Sequence, residues 1–182
     1  MSELLFKNFT KTTLEERKLI LSWRNSDRIR LKMRNQEIIS LENHLKFIEG
    51  LKNRTDCIYY LIYADKIPIG AAYDTDIDLS DNTRSGGMYI GNEEYTGYGI
   101  PILYYGYQNY FENCGVKENV FDVLKTSKRV YQMHKRIFHA RDKYETDKEW
   151  FLYHNLETYQ EMKAFLEPKM KSFYCIDRII RI

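Results

Sequence analysis

Cysteine is scarce in this chain and poorly placed to staple it. Cys57, Cys114 and Cys175 are three among 182 residues, odd in number and without metal or redox spacing. Their pattern predicts free thiols in a reducing compartment and no metal site. No charge of one sign dominates either: 28 Lys and Arg against 26 Asp and Glu leave +2, which gives no reason to expect nucleic acid or an anionic membrane as partner. No stretch approaches the ~20 apolar residues of a membrane span. The start Met1-Ser2-Glu3-Leu4-Leu5 is acidic where a secretory signal is basic, so a cytoplasmic protein is expected. Repeats, low-complexity tracts and linkers are missing too. What remains is one domain over 1–182, long enough to bury a core.

What is abundant is aromatic surface, with 16 Tyr and 9 Phe. Tyrosine joins a flat apolar body to a hydroxyl and suits walls that meet polar, ring-shaped ligands. For most of these residues strand and helix packing accounts equally well, as for Tyr59, Tyr60 and Tyr63 or Tyr104, Tyr105 and Tyr107.

Thr13-Leu14-Glu15-Glu16 is a capping box opening a helix with Leu19, Ile20 and Trp23 on one face. A short helix through Met33 follows. Ser40 caps a third, with Leu41, Leu45, Ile48 and Leu51 as its buried stripe. Cys57–Tyr63 and Ile67–Ile77 read as strands joined at Asp65-Lys66. Asp78–Ser85 is polar and breaks the pattern. Next come a strand at Gly87–Ile90, a helix through Asn113 stopped by Gly115, a strand at Val120–Leu124 and a helix at Ser127–Ile137. Phe138–Lys143 and Lys148–His154 are strand candidates. Asn155 caps a last helix, with Leu156, Tyr159, Met162 and Leu166, expected to end before Pro168. This alternation predicts a mixed α/β fold.

The segment Gly91-Asn92-Glu93-Glu94-Tyr95-Thr96-Gly97-Tyr98-Gly99-Ile100-Pro101 follows a strand and opens a helix. Glycines let a backbone turn sharply and approach a ligand, and a helix start offers N–H groups and a positive dipole end, so the segment reads as an anion site or, equally on this ground alone, as a plain strand-to-helix connection. No Gly-Lys-Ser/Thr follows and the dinucleotide glycine spacing is absent. The six residues Thr96–Pro101 resemble the acetyl-CoA pyrophosphate loop of the GNAT superfamily of N-acetyltransferases, Arg/Gln-x-x-Gly-x-Gly/Ala. Gly99 matches and both ends depart. Trp23-Arg24-Asn25-Ser26, Met33 and Ser40–Ile48 are similar to the amino-terminal region of its amino-sugar and ribosomal-protein acetyltransferases. Val123–Phe138 is similar to its fifth strand and following helix. These blocks stand in the family's order over most of residues 20 to 140.

The resemblance implies a mixed, mostly antiparallel sheet flanked by helices, acetyl-CoA as co-substrate, direct attack without a covalent intermediate, and no metal. By position it implies cofactor contacts at Met88, Tyr89, Ile90, Glu94, Tyr95, Thr96, Gly97, Tyr98, Gly99, Ile100, Ser127 and Val130. His134 stands where the family carries a leaving-group Tyr, and imidazole is a donor near neutral pH. A packed helix residue beside Val130, Met133 and Ile137 is the other reading. Asp122 stands where amino-sugar acetyltransferases carry a strand carboxylate that can act as base; a surface residue is equally compatible with its strand position. Arg24, Met33, His44 and Phe47 match acceptor-pocket positions, Arg24 suiting a diphosphate, although Arg24 and His44 can equally serve helix ends and packing. The basic runs Lys125–Arg129 and Lys135-Arg136 are a solvated helix face or contacts to CoA phosphates. Three functions are thereby expected in turn: acetyl transfer to a nucleotide-linked amino sugar, transfer to a protein amino terminus, and a ligand-binding module that has lost catalysis, the last motivated by Thr96 and Pro101. The oligomeric state stays open between monomer and homodimer.

Overall fold

The computed structural model describes residues 2–182, and its contacts group into two compact units: residues 2–74 with Gly87–Gly99 and Ile176–Ile182, and Thr75–Gly86 with Ile100–Cys175. The elements are β1 (Ser2–Asn8), α1 (Leu14–Asn25), α2 (Asp27–Arg30), α3 (Leu41–Gly50), β2 (Ile58–Ala64), β3 (Ile67–Asp78), β4 (Thr83–Ile90), α4 (Gly99–Gln108), β5 (Glu118–Leu124), α5 (Lys128–Arg136), β6 (Arg141–Glu145), β7 (Glu149–Asn155), α6 (Leu156–Lys169) and β8 (Ile176–Arg181). β3 and β4 each contribute residues to both units. The expected mixed, mostly antiparallel arrangement of strands flanked by helices is present.

In the first unit the strand order is β4-β3-β2-β1-β8. β2 and β3 form the expected hairpin, with Asp65 and Lys66 both at positive φ (47° and 71°) as a two-residue turn between twisted strands requires. The capping box closes on both sides, Thr13 N–H donating to Glu16 Oε2 at 2.6 Å and Glu16 N–H to Thr13 Oγ1 at 3.3 Å. Ile20, Ile48, Leu51, Leu61 and Ala71 join Phe9 in the core. The buried stripe of α3 is His44, Ile48 and Leu51 rather than one containing Leu41 and Leu45: Leu41 is exposed in the first turn, and a 100° step per residue puts 44, 48 and 51 on one side. β1 and β8 were not expected. β1 alternates Leu4 and Phe6 inward, and β8 pairs parallel to it. α2 ends at Arg30, short of Met33.

The second unit carries β6-β7-β5 with the first residues of β4 parallel to β5. Its core is aromatic, with Tyr104, Tyr107, Tyr110, Phe111, Phe138 and Tyr159 around Met162 and Leu166, so many of the abundant tyrosines are core material. Asp78–Ser85 does not break the pattern for long. β3 runs to Asp78 and β4 starts at Thr83, because Asp78 Oδ1 accepts from Ser80 and Asp81 N–H groups and Asn82 takes a positive φ, making a tight polar turn. Gly115 ends the helical stretch at φ 63°, after a π-turn over Asn109–Asn113. β6 begins at Arg141, not Phe138: Phe138 is wholly buried beyond the last turn of α5, and the chain reverses at His139, φ 57°. Asn155 caps α6 as expected, exchanging bonds with Thr158. The helix runs past Pro168, which sits one residue before its end and removes only one late backbone donor. None of Cys57, Cys114 and Cys175 is in a disulfide.

Candidate active site

In the first unit, β4 ends at Ile90 and its continuation is tied to β3, the Gly91 and Asn92 N–H groups both donating to the Ile69 carbonyl at 2.8 and 3.0 Å. Gly91 is buried because Trp23 needs the space: a Cβ there would stand 2.5 Å from Trp23 Cε2. Arg28 donates to the Gly91 carbonyl at 2.7 Å and pairs with Glu93 at 3.1 Å. The conspicuous Trp23 therefore seats the turn.

The turn itself is a 3-10 stretch over Glu93–Tyr98 that runs directly into α4. Asn92 caps it, accepting from Glu94 N–H at 3.2 Å, and the Tyr95 and Tyr98 rings lie 5.5 Å apart. Two expectations need correction. Gly97 and Gly99 are not at positive φ, so no left-handed turn demands them. The Gly99 N–H is also engaged, donating to the Thr96 carbonyl, so that donor is not free. What both glycines share is space, since a Cβ at either would meet no atom within 4 Å. Glu94 and Thr96 are exposed, Tyr95, Tyr98 and Ile100 half-buried, and Pro101 is buried in the first turn of α4, where its fixed φ fits and a missing donor costs least. Met88, Tyr89 and Ile90 are half-buried in β4.

The acceptor candidates are in the same unit. Arg24 Nη2 donates to the Asn35 carbonyl at 2.7 Å, while Nη1 is buried with no partner. Met33 is half-buried in the turn after α2. Phe47 is partly exposed on α3 and meets Tyr59 edge-on at 5.1 Å. His44 is buried, with Nε2 3.0 Å from the Arg17 carbonyl, and burial pulls its pKa down. That placement makes it a joint between α1 and α3.

The second unit holds the other candidates. His134 is buried on α5, its ring 4.6 Å from Phe121 and 5.5 Å from Phe138, with Nδ1 unpartnered. Burial pulls its pKa down to about 4, so it is neutral at pH 7, a donor through one ring nitrogen. β5 alternates, with Asn119, Phe121 and Val123 buried and Val120, Asp122 and Leu124 on the other face. Asp122 and His134 therefore lie on opposite faces of β5 and are not brought together. Ser127 precedes α5 without a side-chain cap, and Val130 is exposed one turn on. Lys125 and Lys135 pair with Glu145 and Asp142 respectively. Among the described residues no group of His, Cys, Asp and Glu is arranged to hold a metal ion, and no helix is long and apolar enough to cross a membrane.

A second buried imidazole was missed in the sequence. His154 stacks 5.8 Å from Phe121 and lies 4.4 Å from the Tyr107 ring, with Nδ1 3.2 Å from Thr158 Oγ1 and Nε2 unpartnered. Burial first, then the charges of His134 and His139, pull its pKa down to about 3. The unfolded chain takes up protons below about pH 6.5 that folded His134 and His154 refuse. Their contribution is thus complete above that pH and is lost as pH falls through the window toward 4. Urea unfolding is expected to show a loss on the order of 2–3 kcal/mol per imidazole across it. His154→Gln should lose correspondingly less between pH 7 and 4.5, and parallel curves would contradict this.

No protein-family model matches the chain. Among curated proteins it is similar to the acetyltransferase PseH of Campylobacter jejuni, 28% identical over 169 residues that cover 93% of this chain and 94% of that one. Among solved structures, PseH of that organism in complex with acetyl coenzyme A aligns with a TM-score of 0.69 at 22% identity, covering 84% and 99% of the two chains. FdhC, described as a nucleotide-linked sugar GNAT, aligns at 0.73 and 21% identity, covering 90% and 91%. The chain shares the fold of these two structures. Against the GNAT loop pattern the turn departs, with Thr96 and Pro101 standing at the pattern's two ends.

Proposed function

We propose that this chain is an acetyl-CoA-dependent N-acetyltransferase whose acceptor is a nucleotide-linked amino sugar. The observation that carries the donor side is β4. Its ladder to β5 comprises Thr83↔Glu118 and Arg84↔Asn119, and beyond it Gly87–Ile90 forms the end strand of the first unit before the turn with room at Gly97 and Gly99. An extended amide chain such as the pantetheine arm can add to a strand edge by backbone hydrogen bonds. Met88–Ile90 would hold that arm and give an N–H to the thioester carbonyl as charge develops on its oxygen. The turn would take the pyrophosphate, with Pro101 contributing no donor and the Gly99 N–H first leaving Thr96. His134, neutral, would donate to the departing thiolate; Asp122, on the other face of β5, takes no part in that step. The near full-length likeness to PseH supports the reaction, and the nucleotide-linked sugar GNAT supports the acceptor class.

Gly99→Ala tests the donor side. The new Cβ meets no protein atom, and Gly99 has helical φ/ψ (−56°, −39°), so folding stability should hold or rise by about 0.5–1 kcal/mol. Calorimetry should nonetheless show CoA affinity reduced about tenfold to a hundredfold, because the methyl fills the space meant for phosphate. Unchanged affinity would remove the turn from the binding site.

A further inference from the structure

The turn proposed for the pyrophosphate has several of its backbone donors engaged already. Glu94 N–H goes to Asn92 Oδ1 at 3.2 Å, Tyr95 N–H to the Asn92 carbonyl at 3.0 Å and Gly99 N–H to the Thr96 carbonyl, while Pro101 has none. The turn also opens on two carboxylates, Glu93 and Glu94, of the same sign as the ligand it would take. Phosphate oxygens only accept, so donors and charge that the turn lacks have to come from outside it.

Arg28 of α2 stands at that entrance. Its Nη2 donates to the Gly91 carbonyl at 2.7 Å, which anchors the guanidinium to the backbone, and its Nε lies 3.1 Å from Glu93 Oε1. Nη1 keeps its hydrogens unassigned among the described residues and is not a buried atom. The two side chains of the ion pair differ in exposure, Arg28 at 33% and Glu93 at 76%. A pair with so solvated a carboxylate contributes little. A phosphate meeting the same guanidinium makes charge-assisted hydrogen bonds of matched geometry, which outweigh it. Glu93 is therefore the displaceable partner and the Gly91 carbonyl the fixed one.

We propose that Arg28 is a cofactor-binding residue: anchored at the Gly91 carbonyl, its guanidinium exchanges Glu93 for a phosphate oxygen of acetyl-CoA and supplies the donor that Pro101 lacks. This rests on the proposed use of the turn and names the side chain that completes it. The test is calorimetric titration of acetyl-CoA into the wild type, Arg28→Gln, Glu93→Gln and the double variant. Arg28→Gln should weaken binding about tenfold. Glu93→Gln should tighten it about threefold, because the competing carboxylate is gone, and that gain should vanish in the double variant. A guanidinium that only clamps the turn gives another pattern, with Glu93→Gln weakening acetyl-CoA or leaving it unchanged, and either result overturns the proposal. Wild-type affinity in Arg28→Gln overturns it too. Glu93→Gln alters an exposed side chain and reports its sign even if Arg28→Gln does not fold. In turnover the Michaelis constant of Arg28→Gln for acetyl-CoA should rise about tenfold with kcat nearly unchanged. A wild type that binds acetyl-CoA with this Arg28 dependence yet acetylates no amine supports the site and removes the transferase reading. An active transferase whose acetyl-CoA affinity ignores both Arg28 and Glu93 removes this inference alone.

Discussion

Replacing His134 with phenylalanine is expected to lower turnover about a hundredfold while leaving the acetyl-CoA dissociation constant within about twofold, the signature of a group that acts only as the leaving thiolate forms. Phenylalanine is the informative change because His134 is enclosed by Phe121 and Phe138. Alanine would also open a cavity costing about 3 kcal/mol, mixing lost packing with lost chemistry. Tyrosine restores an O–H donor and should recover appreciable activity. Burial holds His134 neutral down to about pH 4, so the proposed role predicts no break from this residue in the rate profile between pH 5.5 and 8. Equal activity of wild type and His134→Phe would reduce His134 to a packing residue.

The largest effect on folding is expected at Gly70. A Cβ there would press on the Tyr89 carbonyl oxygen and stand 3.0 Å from Ile90 Cα and 3.2 Å from the Tyr89 carbonyl carbon. These are backbone atoms and cannot turn aside as a side chain can. Gly70→Ala should therefore cost about 3 kcal/mol or more, lowering Tm by about 6–12 °C, and should disturb the strand proposed to hold the thioester. Gly97→Ala, which meets nothing within 4 Å, is the control and should leave Tm nearly unchanged. A Gly70→Ala protein as stable as the wild type would contradict the close β3–β4 approach.

Local chemistry was legible and register was not. The capping box at Thr13, the caps at Ser40 and Asn155, the Asp65-Lys66 hairpin and the Gly115 stop all follow from residues within four positions of one another, and all are present. The Tyr59–Tyr73 stack is different. A two-residue turn alone pairs Tyr59 with Ala72. A bulge leaves Ile69 unpaired between Pro68 and Gly70, shifts the register by one and brings Tyr73 opposite Tyr59. No spacing signals that bulge. Gly70, Gly87 and Gly91 were likewise unreadable as contacts, because each is set by a neighbour distant in sequence. β1 escaped notice because Leu4-Leu5-Phe6 is too short an apolar run to declare a period, and β8 because its pairing with β1 spans almost the whole chain. The anion-site reading of Gly97 and Gly99 expected a sharp glycine turn, but neither residue has a positive φ and both have open space about the Cβ position.

Acetyl transfer to an amino group on a nucleotide-linked sugar can be read by mass spectrometry of a mixture of UDP- and TDP-amino sugars and short peptides after incubation with the protein and acetyl-CoA, with free thiol followed in parallel. Thiol release matched by one acetylated nucleotide sugar, with peptides unchanged, is the expected result. Efficient acetylation of peptides and of no nucleotide sugar would contradict the acceptor, and no thiol release with any amine would contradict the transferase itself.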